Sequence, residues 1–99
     1  MIIVLPDLDF NRYLKFDTEK MKVIAKKIKY KKAYNTLFGD INIYVLVTIY
    51  KSKKGRYLLM YKYDGEYKFE LLSEESVKSL LIDNDIDAYE KLFGEIEEG

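Results

Sequence analysis

The stretch Ile41–Leu72, INIYVLVTIYKSKKGRYLLMYKYDGEYKFELL, decides the fold. Apolar side chains occupy every second position from Ile41 to Ile49, which is typical of a β-strand with one buried face. Asp64-Gly65 is a preferred two-residue hairpin turn, and Ser52–Gly55 is rich in loop-forming residues. The stretch therefore predicts a three-stranded antiparallel meander, with strands at about 41–51, 56–63 and 66–72.

The expected loop lengths determine which side chains share a face of this meander. A two-residue loop pairs Tyr63 with Glu66, and a four-residue loop pairs Lys51 with Arg56. These pairings place the odd-numbered residues of the first strand beside the even-numbered residues of the second on a buried face. The opposite, exposed face then collects five phenol rings, those of Tyr44, Tyr50, Tyr57, Tyr61 and Tyr63.

The chain on either side of the meander predicts further strands and two helices. Met1–Leu5 and Leu8–Phe16 have strand-like patterns, the second with an irregularity near its middle. Ser73 is a favoured helix N-cap, and acidic residues follow it. We therefore expect helices at about 73–82 and 86–93.

We also expect helical structure over residues 18–38, broken near residues 29–32. Asp17 or Thr18 can cap a helix N-terminus. The apolar residues between Met21 and Ile28 recur at helical spacing, whereas those after Tyr30 fall on nearly the opposite side. The whole chain, residues 1–99, is then one α+β domain whose helices cover one face of an antiparallel sheet.

A nonapeptide occurs twice, as AYNTLFGDI at Ala33–Ile41 and as AYEKLFGEI at Ala88–Ile96. In a helix, the Tyr, Leu and Phe of each copy lie on one flank, and the glycine ends the last turn. The repeat is either inherited from a duplication or has arisen twice. We expect both copies to be helix ends whose core anchors are Tyr34, Leu37, Phe38, Tyr89, Leu92 and Phe93.

Composition restricts the chemistry of the chain. It has no His, Cys, Trp or Gln, so it lacks the commonest general base, a thiolate nucleophile and the usual zinc ligands. Asp83, Asp85 and Asp87 begin like a calcium loop but lack its later glycine and glutamate. We expect no catalytic residue, metal, cofactor or small-molecule substrate, and predict that the protein is not an enzyme.

One short nuclease-like pattern is also present. Asp7, Glu66 and Lys68 match the order of a metal-binding nuclease motif in which carboxylates hold a divalent ion. The pattern is common by chance, and Lys68 falls on a strand face beside tyrosines. Hydrolysis has no further support in the sequence.

Charge is distributed unevenly along the chain. Residues 1–69 carry 15 basic and 7 acidic side chains, a net charge of +8, whereas residues 70–99 carry 2 and 10, a net charge of −8. Such asymmetry indicates either a basic face for an anionic partner or two halves of one domain that attract each other. Both interpretations remain open.

The sequence favours a non-enzymatic binding module. The leading hypothesis is contact with a protein partner or a second copy, as a homodimer, because tyrosine is a preferred interface residue. The alternative partner is a nucleic acid. The lysine-rich segment 20–32 and a basic hairpin loop would bind its phosphates, and tyrosines would stack on its bases. The expected contact residues are Tyr50, Tyr57, Tyr61 and Tyr63 as a platform and Lys53, Lys54 and Arg56 as its rim.

Localisation is inferred from what the sequence lacks. No apolar run is long enough to cross a bilayer, so we expect no membrane partner. The first residues also lack the basic segment and long apolar stretch of a secretory signal, which predicts a cytoplasmic protein.

Three features of the sequence suggest a resemblance to a known group of proteins. They are the opening Met1-Ile-Ile-Val-Leu-Pro6, the closing Tyr89-Glu-Lys-Leu-Phe-Gly94 and the bias toward Lys, Ile, Tyr and Glu. The chain resembles small orphan proteins of filamentous and rod-shaped viruses that infect hyperthermophilic archaea. The resemblance implies a thermostable, non-enzymatic accessory protein of the host cytoplasm, and it carries over no functional residue. An AT-rich genome would also favour Lys, Ile and Tyr.

Overall fold

Six β-strands and two α-helices follow one another in a computed structural model of residues 1–99. Short 3-10 turns lie at Leu8–Phe10 and Thr18–Lys20. This composition confirms the α+β fold class. The strands are β1 (Ile2–Asp7), β2 (Arg12–Asp17), β3 (Lys22–Thr36), β4 (Gly39–Lys51), β5 (Tyr57–Tyr63) and β6 (Glu66–Leu72), and the helices are α1 (Glu74–Asn84) and α2 (Ile86–Phe93).

The elements form three layers. The central layer is an antiparallel sheet with the strand order β3-β4-β5-β6, and β1 and β2 form a separate hairpin. The helices cover one face of the sheet, where Val77 and Leu81 are buried against Ile49 and Leu59. The β1–β2 hairpin covers the other face, where Ile3 and Phe16 pack on Leu58. The sheet therefore separates two small hydrophobic cores.

The β5–β6 hairpin confirms the predicted register. Tyr63 pairs with Glu66 and Leu58 with Leu71. The two turn residues, Asp64 and Gly65, have φ angles of 51° and 76°. Positive φ at both positions is what a tight hairpin turn of this type requires, and Asp-Gly supplies it at little cost. The turn therefore fixes the pairing of the two strands.

The two predicted C-terminal helices are also confirmed. The Ser73 hydroxyl accepts the N–H of Ser76 at 3.1 Å, and the Asp85 carboxylate accepts the N–H of Ala88 at 3.0 Å. Each bond satisfies a backbone donor that the first helical turn leaves unpaired. Asp85 thus ends α1 and begins α2.

The predicted helix at residues 18–38 is wrong, because Lys22–Thr36 forms the 15-residue strand β3. The pairing of β3 with β4 is irregular between Val23 and Ile28, and Lys27 there has a φ of 55°. A β-bulge adds a residue and shifts the alternation of side chains. Apolar residues on either side of such shifts imitate helical spacing, so the pattern was misleading.

The first copy of the nonapeptide is a hairpin tip and not a helix end. The Thr36 hydroxyl accepts the N–H of Phe38 at 3.2 Å and donates to the carbonyl of Gly39 at 2.6 Å, which closes the turn. Leu37 and Phe38 are fully exposed at this tip. The prediction that they anchor the core is therefore wrong, whereas Tyr89, Leu92 and Phe93 of the second copy do pack against the core.

The register between β4 and β5 differs from the predicted one by a single residue. Lys51 pairs with Tyr57, and Ile49 pairs with Leu59. The loop holds five residues because Ser52 and Arg56 close it: the Ser52 N–H donates to the Arg56 carbonyl at 2.8 Å, and the Arg56 N–H donates to the Ser52 hydroxyl at 3.0 Å. Since side chains alternate along a strand, a shift of one residue moves each β5 side chain to the opposite face relative to β4.

The long β3–β4 hairpin extends beyond the rest of the sheet. β4 pairs with β5 only over Thr48–Lys51 and Tyr57–Met60, so residues 29–46 form a two-stranded arm. The arm is attached to the β5–β6 hairpin through side chains: the Lys32 ammonium donates to the Glu70 carboxylate, and the rings of Tyr34 and Tyr63 stack with centroids 5.4 Å apart.

Candidate anion-binding cleft

The expected wall of exposed tyrosines does not exist. Tyr57 and Tyr61 retain only 5% and 6% of their exposure, because the register shift turns them toward the helices. Tyr50 lies on the opposite face of the sheet, where it packs beside Leu58. The phenol rings are thus divided between two faces, and the predicted platform of Tyr50, Tyr57, Tyr61 and Tyr63 is wrong as a single surface.

The basic residues of the β4–β5 loop do share a site. Lys53, Lys54 and Arg56 line one side of an open cleft of about 490 Å³. The loop has a defined shape, since the Gly55 N–H donates to the Ser52 carbonyl at 2.9 Å and Gly55 has a φ of 84°. A glycine adopts this conformation without the strain that a side chain would bring.

The other side of the cleft comes from the β1–β2 layer. Lys15 and Tyr13 belong to β2, and Lys20 ends the 3-10 turn that follows. Tyr13 is 76% exposed, so its ring is available to a ligand. We call this site the basic cleft; its cationic groups are Lys15, Lys20, Lys53, Lys54 and Arg56.

The cations of the basic cleft have no acidic partners in the chain. None of the five takes part in an ion pair. Asp17 is the one carboxylate in the lining, and it accepts the N–H of Glu19 at 3.1 Å and lies 3.9 Å from the Met1 amino group. Clustered like charges repel one another and do not help the fold, but they attract an anion strongly.

A second cleft adjoins the basic one and has the opposite character. It measures about 590 Å³ and shares Leu14 and Arg56 with the basic cleft, but it is lined by Asp7, Asp9 and Glu74. Arg56 therefore stands at the boundary between a basic and an acidic compartment. An anionic ligand is favoured on one side of this boundary and repelled on the other.

The lysine-rich segment does not form the basic helix face expected for the nucleic-acid hypothesis. Lys22–Thr36 is an edge strand, where lysines commonly prevent pairing with other chains. Lys29 lies over the ring of Tyr44 at 4.4 Å, and Lys32 turns to Glu70. Of the segment, only Lys20 contributes to the basic cleft.

Lys32 also belongs to a polar cluster at the base of the arm. Its ammonium lies 5.9 Å from the ring centroid of Tyr30 and 5.8 Å from that of Tyr61. The hydrogen bond to Glu70 raises the pKa of Lys32, and burial raises the pKa values of Tyr30 and Tyr61. The cluster favours a protonated lysine and neutral phenols, which suits a structural attachment.

The remaining sequence motifs do not assemble into a site. Asp7 accepts a hydrogen bond from Arg12 at 3.3 Å, whereas Glu66 and Lys68 pair with each other at 2.9 Å. The hydrogen bond from Lys68 lowers the pKa of Glu66 and raises that of Lys68. No group of three or more acidic side chains is placed so that it could hold a metal ion.

Sequence reasoning missed Tyr13 and Lys15. They belong to a stretch, Tyr13-Leu14-Lys15-Phe16, in which apolar residues alternate with outward-facing ones, so their exposure could have been expected. Their position beside the β4–β5 loop could not have been predicted, because it depends on where the β1–β2 hairpin packs.

The fold and the cleft define a small α+β protein with a basic site edged by an aromatic ring. Comparisons with protein-family models, with curated proteins and with solved structures find no match to the chain. The resemblance to proteins of archaeal viruses therefore stays a prediction. Neither α-helix has the length and apolar character needed to cross a bilayer.

Proposed function

We propose that the protein is a non-enzymatic binding module that holds the phosphate backbone of a nucleic acid in the basic cleft. The observation that carries the proposal is the convergence of five unpaired cationic side chains, from two separate layers of the fold, on one cleft. Lysine and arginine contacts to phosphates supply most of the affinity of proteins that bind nucleic acids without strong sequence preference.

The aromatic edge of the cleft supports this choice of ligand. Tyr13 lies beside Lys15 in the cleft wall and is largely exposed. A phosphate chain in the cleft would bring unpaired bases within reach of this ring, and base stacking on an aromatic side chain stabilises single-stranded complexes by about 1–3 kcal/mol per base. The site thus combines backbone and base contacts.

The charge asymmetry of the chain supports the proposal as well. A single ion pair, Lys32 with Glu70, joins the basic residues 1–69 to the acidic residues 70–99. Attraction between the two halves therefore explains little of the asymmetry. Around Arg56, an anion is attracted to the basic cleft and repelled from the adjoining cleft that Asp7, Asp9 and Glu74 line, so a polyanion is directed to the basic cleft itself.

Binding to a fluorescently labelled oligonucleotide at several salt concentrations tests the proposal. If all five cations engage phosphates, the slope of log K against log salt is roughly −3.5 to −4.5. The double variant Lys53→Gln/Lys54→Gln should bind more weakly and with a shallower slope, by roughly 1.4 to 1.8.

The matched control is Lys26→Gln/Lys31→Gln, which removes two exposed lysines of β3 outside the cleft. It should retain the affinity of the wild type. Absence of binding at low salt, or equal losses in both double variants, would refute a specific role for the cleft.

A further inference from the structure

The β4 strand has a long unpaired edge. Between Gly39 and Val47 it bonds to β3 on one side, and its other side has no strand partner because pairing with β5 begins only at Thr48. In an antiparallel pair, every second residue points its N–H and C=O away from the partner strand. These groups form a row of donors and acceptors that a further strand could bond.

The two edges of the arm are protected to very different degrees. The β3 edge carries Lys26, Lys27, Lys29 and Lys31, and its pairing irregularities twist the strand. Lysines and bulges are the usual means by which natural sheets prevent unwanted pairing. The β4 edge has neither, since its one charged residue between Gly39 and Tyr50 is Asp40 and residues 39–47 pair with β3 without a register shift.

The side chains beside the unpaired edge are also apolar and exposed. Ile41, Tyr44 and Leu46 retain 50%, 60% and 64% of their exposure. A flat, exposed and hydrophobic edge strand favours association with another chain. The open edge of β4 is therefore the side of the arm on which a further strand could pair.

We propose that Gly39–Val47 pairs antiparallel with the same segment of a second copy. Antiparallel pairing of a strand with itself is compatible with a two-fold axis, which is the commonest symmetry of homodimers. Asp40 is the one charged residue of this segment, and self-pairing places it opposite Leu46 of the second copy, so the paired strands oppose no like charges. The two arms then form one sheet with the order β3-β4-β4-β3.

The proposed interface leaves the basic cleft free. The cleft is lined by residues at the other end of β4, in the loop after Lys51, so a dimer would carry two clefts. The inference is thus independent of the proposed function, and each can fail alone. Where both hold, two linked clefts on one nucleic acid strengthen binding through effective concentration.

Sedimentation velocity of the full chain across a wide range of concentration, without nucleic acid, tests the dimer. We expect a monomer–dimer equilibrium and a loss of dimer in both Tyr44→Lys and Leu46→Lys, because each places a charge at the paired edge. Tyr67→Lys is the matched control: it replaces a half-exposed tyrosine on β6, outside the arm, and should dimerise like the wild type. Far-UV circular dichroism confirms that each variant is folded.

Amide hydrogen exchange locates the contact. In the wild type, the amides of every second residue within 39–47, those that point away from β3, should gain protection as protein concentration rises, while those of β5 and β6 should not. A wild-type monomer at every concentration would overturn the proposal. So would a dimer that persists in both folded arm variants, or one whose concentration-dependent protection lies outside residues 39–47.

Discussion

The two copies of the nonapeptide, Ala33–Ile41 and Ala88–Ile96, share six identical residues but adopt different structures. The first spans the tip of the β3–β4 hairpin, and the second forms most of α2 and the three residues that follow it. Both glycines have positive φ angles, 107° at Gly39, which begins β4, and 99° at Gly94, which follows α2, so each has a backbone conformation that favours glycine. The comparison shows that the shared residues determine where the chain turns but not the kind of element that precedes the turn.

The residues that differ, and the flanking sequence, explain the two outcomes. Asn35-Thr36 favours turns and strands, whereas Glu90-Lys91 favours helices. The first copy also leads into a strand rich in β-branched residues, while the second follows the helix cap at Asp85. Flanking structure therefore decides between two conformations that the common residues tolerate.

The largest expected effect separates the two phenylalanines. Phe93 is half-buried and packs against the core, with its ring 5.2 Å from that of Tyr89 and 6.5 Å from that of Tyr57, whereas Phe38 is fully exposed. Phe93→Ala should lower the free energy of unfolding by about 2 kcal/mol, since it leaves a gap among packed rings. Phe38→Ala should change it by less than about 0.5 kcal/mol.

Urea denaturation, followed by circular dichroism, measures both variants of this pair. Equal losses would mean that the tip of the arm is buried in solution, for example in an interface, and that the two copies differ less in packing than in backbone conformation.

We expect a smaller loss of stability when the dipeptide that differs between the two copies, Asn35-Thr36 or Glu90-Lys91, is replaced by that of the other copy. Asn35→Glu/Thr36→Lys removes both hydrogen bonds of the Thr36 hydroxyl and should cost about 1 kcal/mol. Glu90→Asn/Lys91→Thr lowers helix propensity and should also cost about 1 kcal/mol. We expect neither exchange to convert its segment, because the flanking residues are unchanged.

Far-UV circular dichroism and backbone chemical shifts of the two exchange variants check this expectation. A gain of helix in the arm variant would show that the dipeptide, and not the flanking sequence, is decisive.

The smallest effect concerns alkaline pH and the surroundings of Tyr34. Tyr34 stacks on Tyr63 beside the cluster of Lys32 and Tyr61. Burial raises the pKa of Tyr61 above its ordinary value of 10.0, and the hydrogen bond to Glu70 raises that of Lys32 above 10.5. Because the native state holds these protons more tightly than the unfolded chain, their stabilisation is complete below pH 10 and is lost as the pH rises above it.

Denaturation midpoints measured between neutral pH and pH 11 should therefore fall at the alkaline end of the range. The decline should be shallower in Tyr61→Phe, which keeps the packing but removes the proton. An identical decline in the variant and the wild type would assign the effect to other groups.

Much of the fold can be predicted from local sequence. The face of the sheet on which a given side chain lies cannot always be predicted in this way. Asp64-Gly65 fixes the β5–β6 register, and Asp85 fixes the boundary between the helices, because each acts within a few residues. The register between β4 and β5 depends on whether Arg56 belongs to the strand or to the loop. That single residue decides which face of the sheet Tyr57 and Tyr61 occupy. The bulges of β3 concealed a strand for a similar reason, since one extra residue changes the apparent period.

The candidate site was predicted in part. The sequence predicts Lys53, Lys54 and Arg56 as contact residues, and the structure places all three in the lining of one cleft. Their neighbours Tyr13, Lys15 and Lys20 come from a layer whose docking depends on the burial of Ile3 and Phe16 against the sheet. Contacts of this kind join distant parts of the chain, so no local sequence pattern predicts them.

The order of strands in the central sheet has a kinetic consequence. Each strand pairs only with the strand next to it in the chain, through connections of two, five and two residues. Closing such short loops costs little entropy, and proteins dominated by contacts between nearby residues fold faster than other β-rich proteins of similar size. We therefore expect the sheet to form by successive hairpin closures, with the helices and the β1–β2 layer docking onto it afterwards.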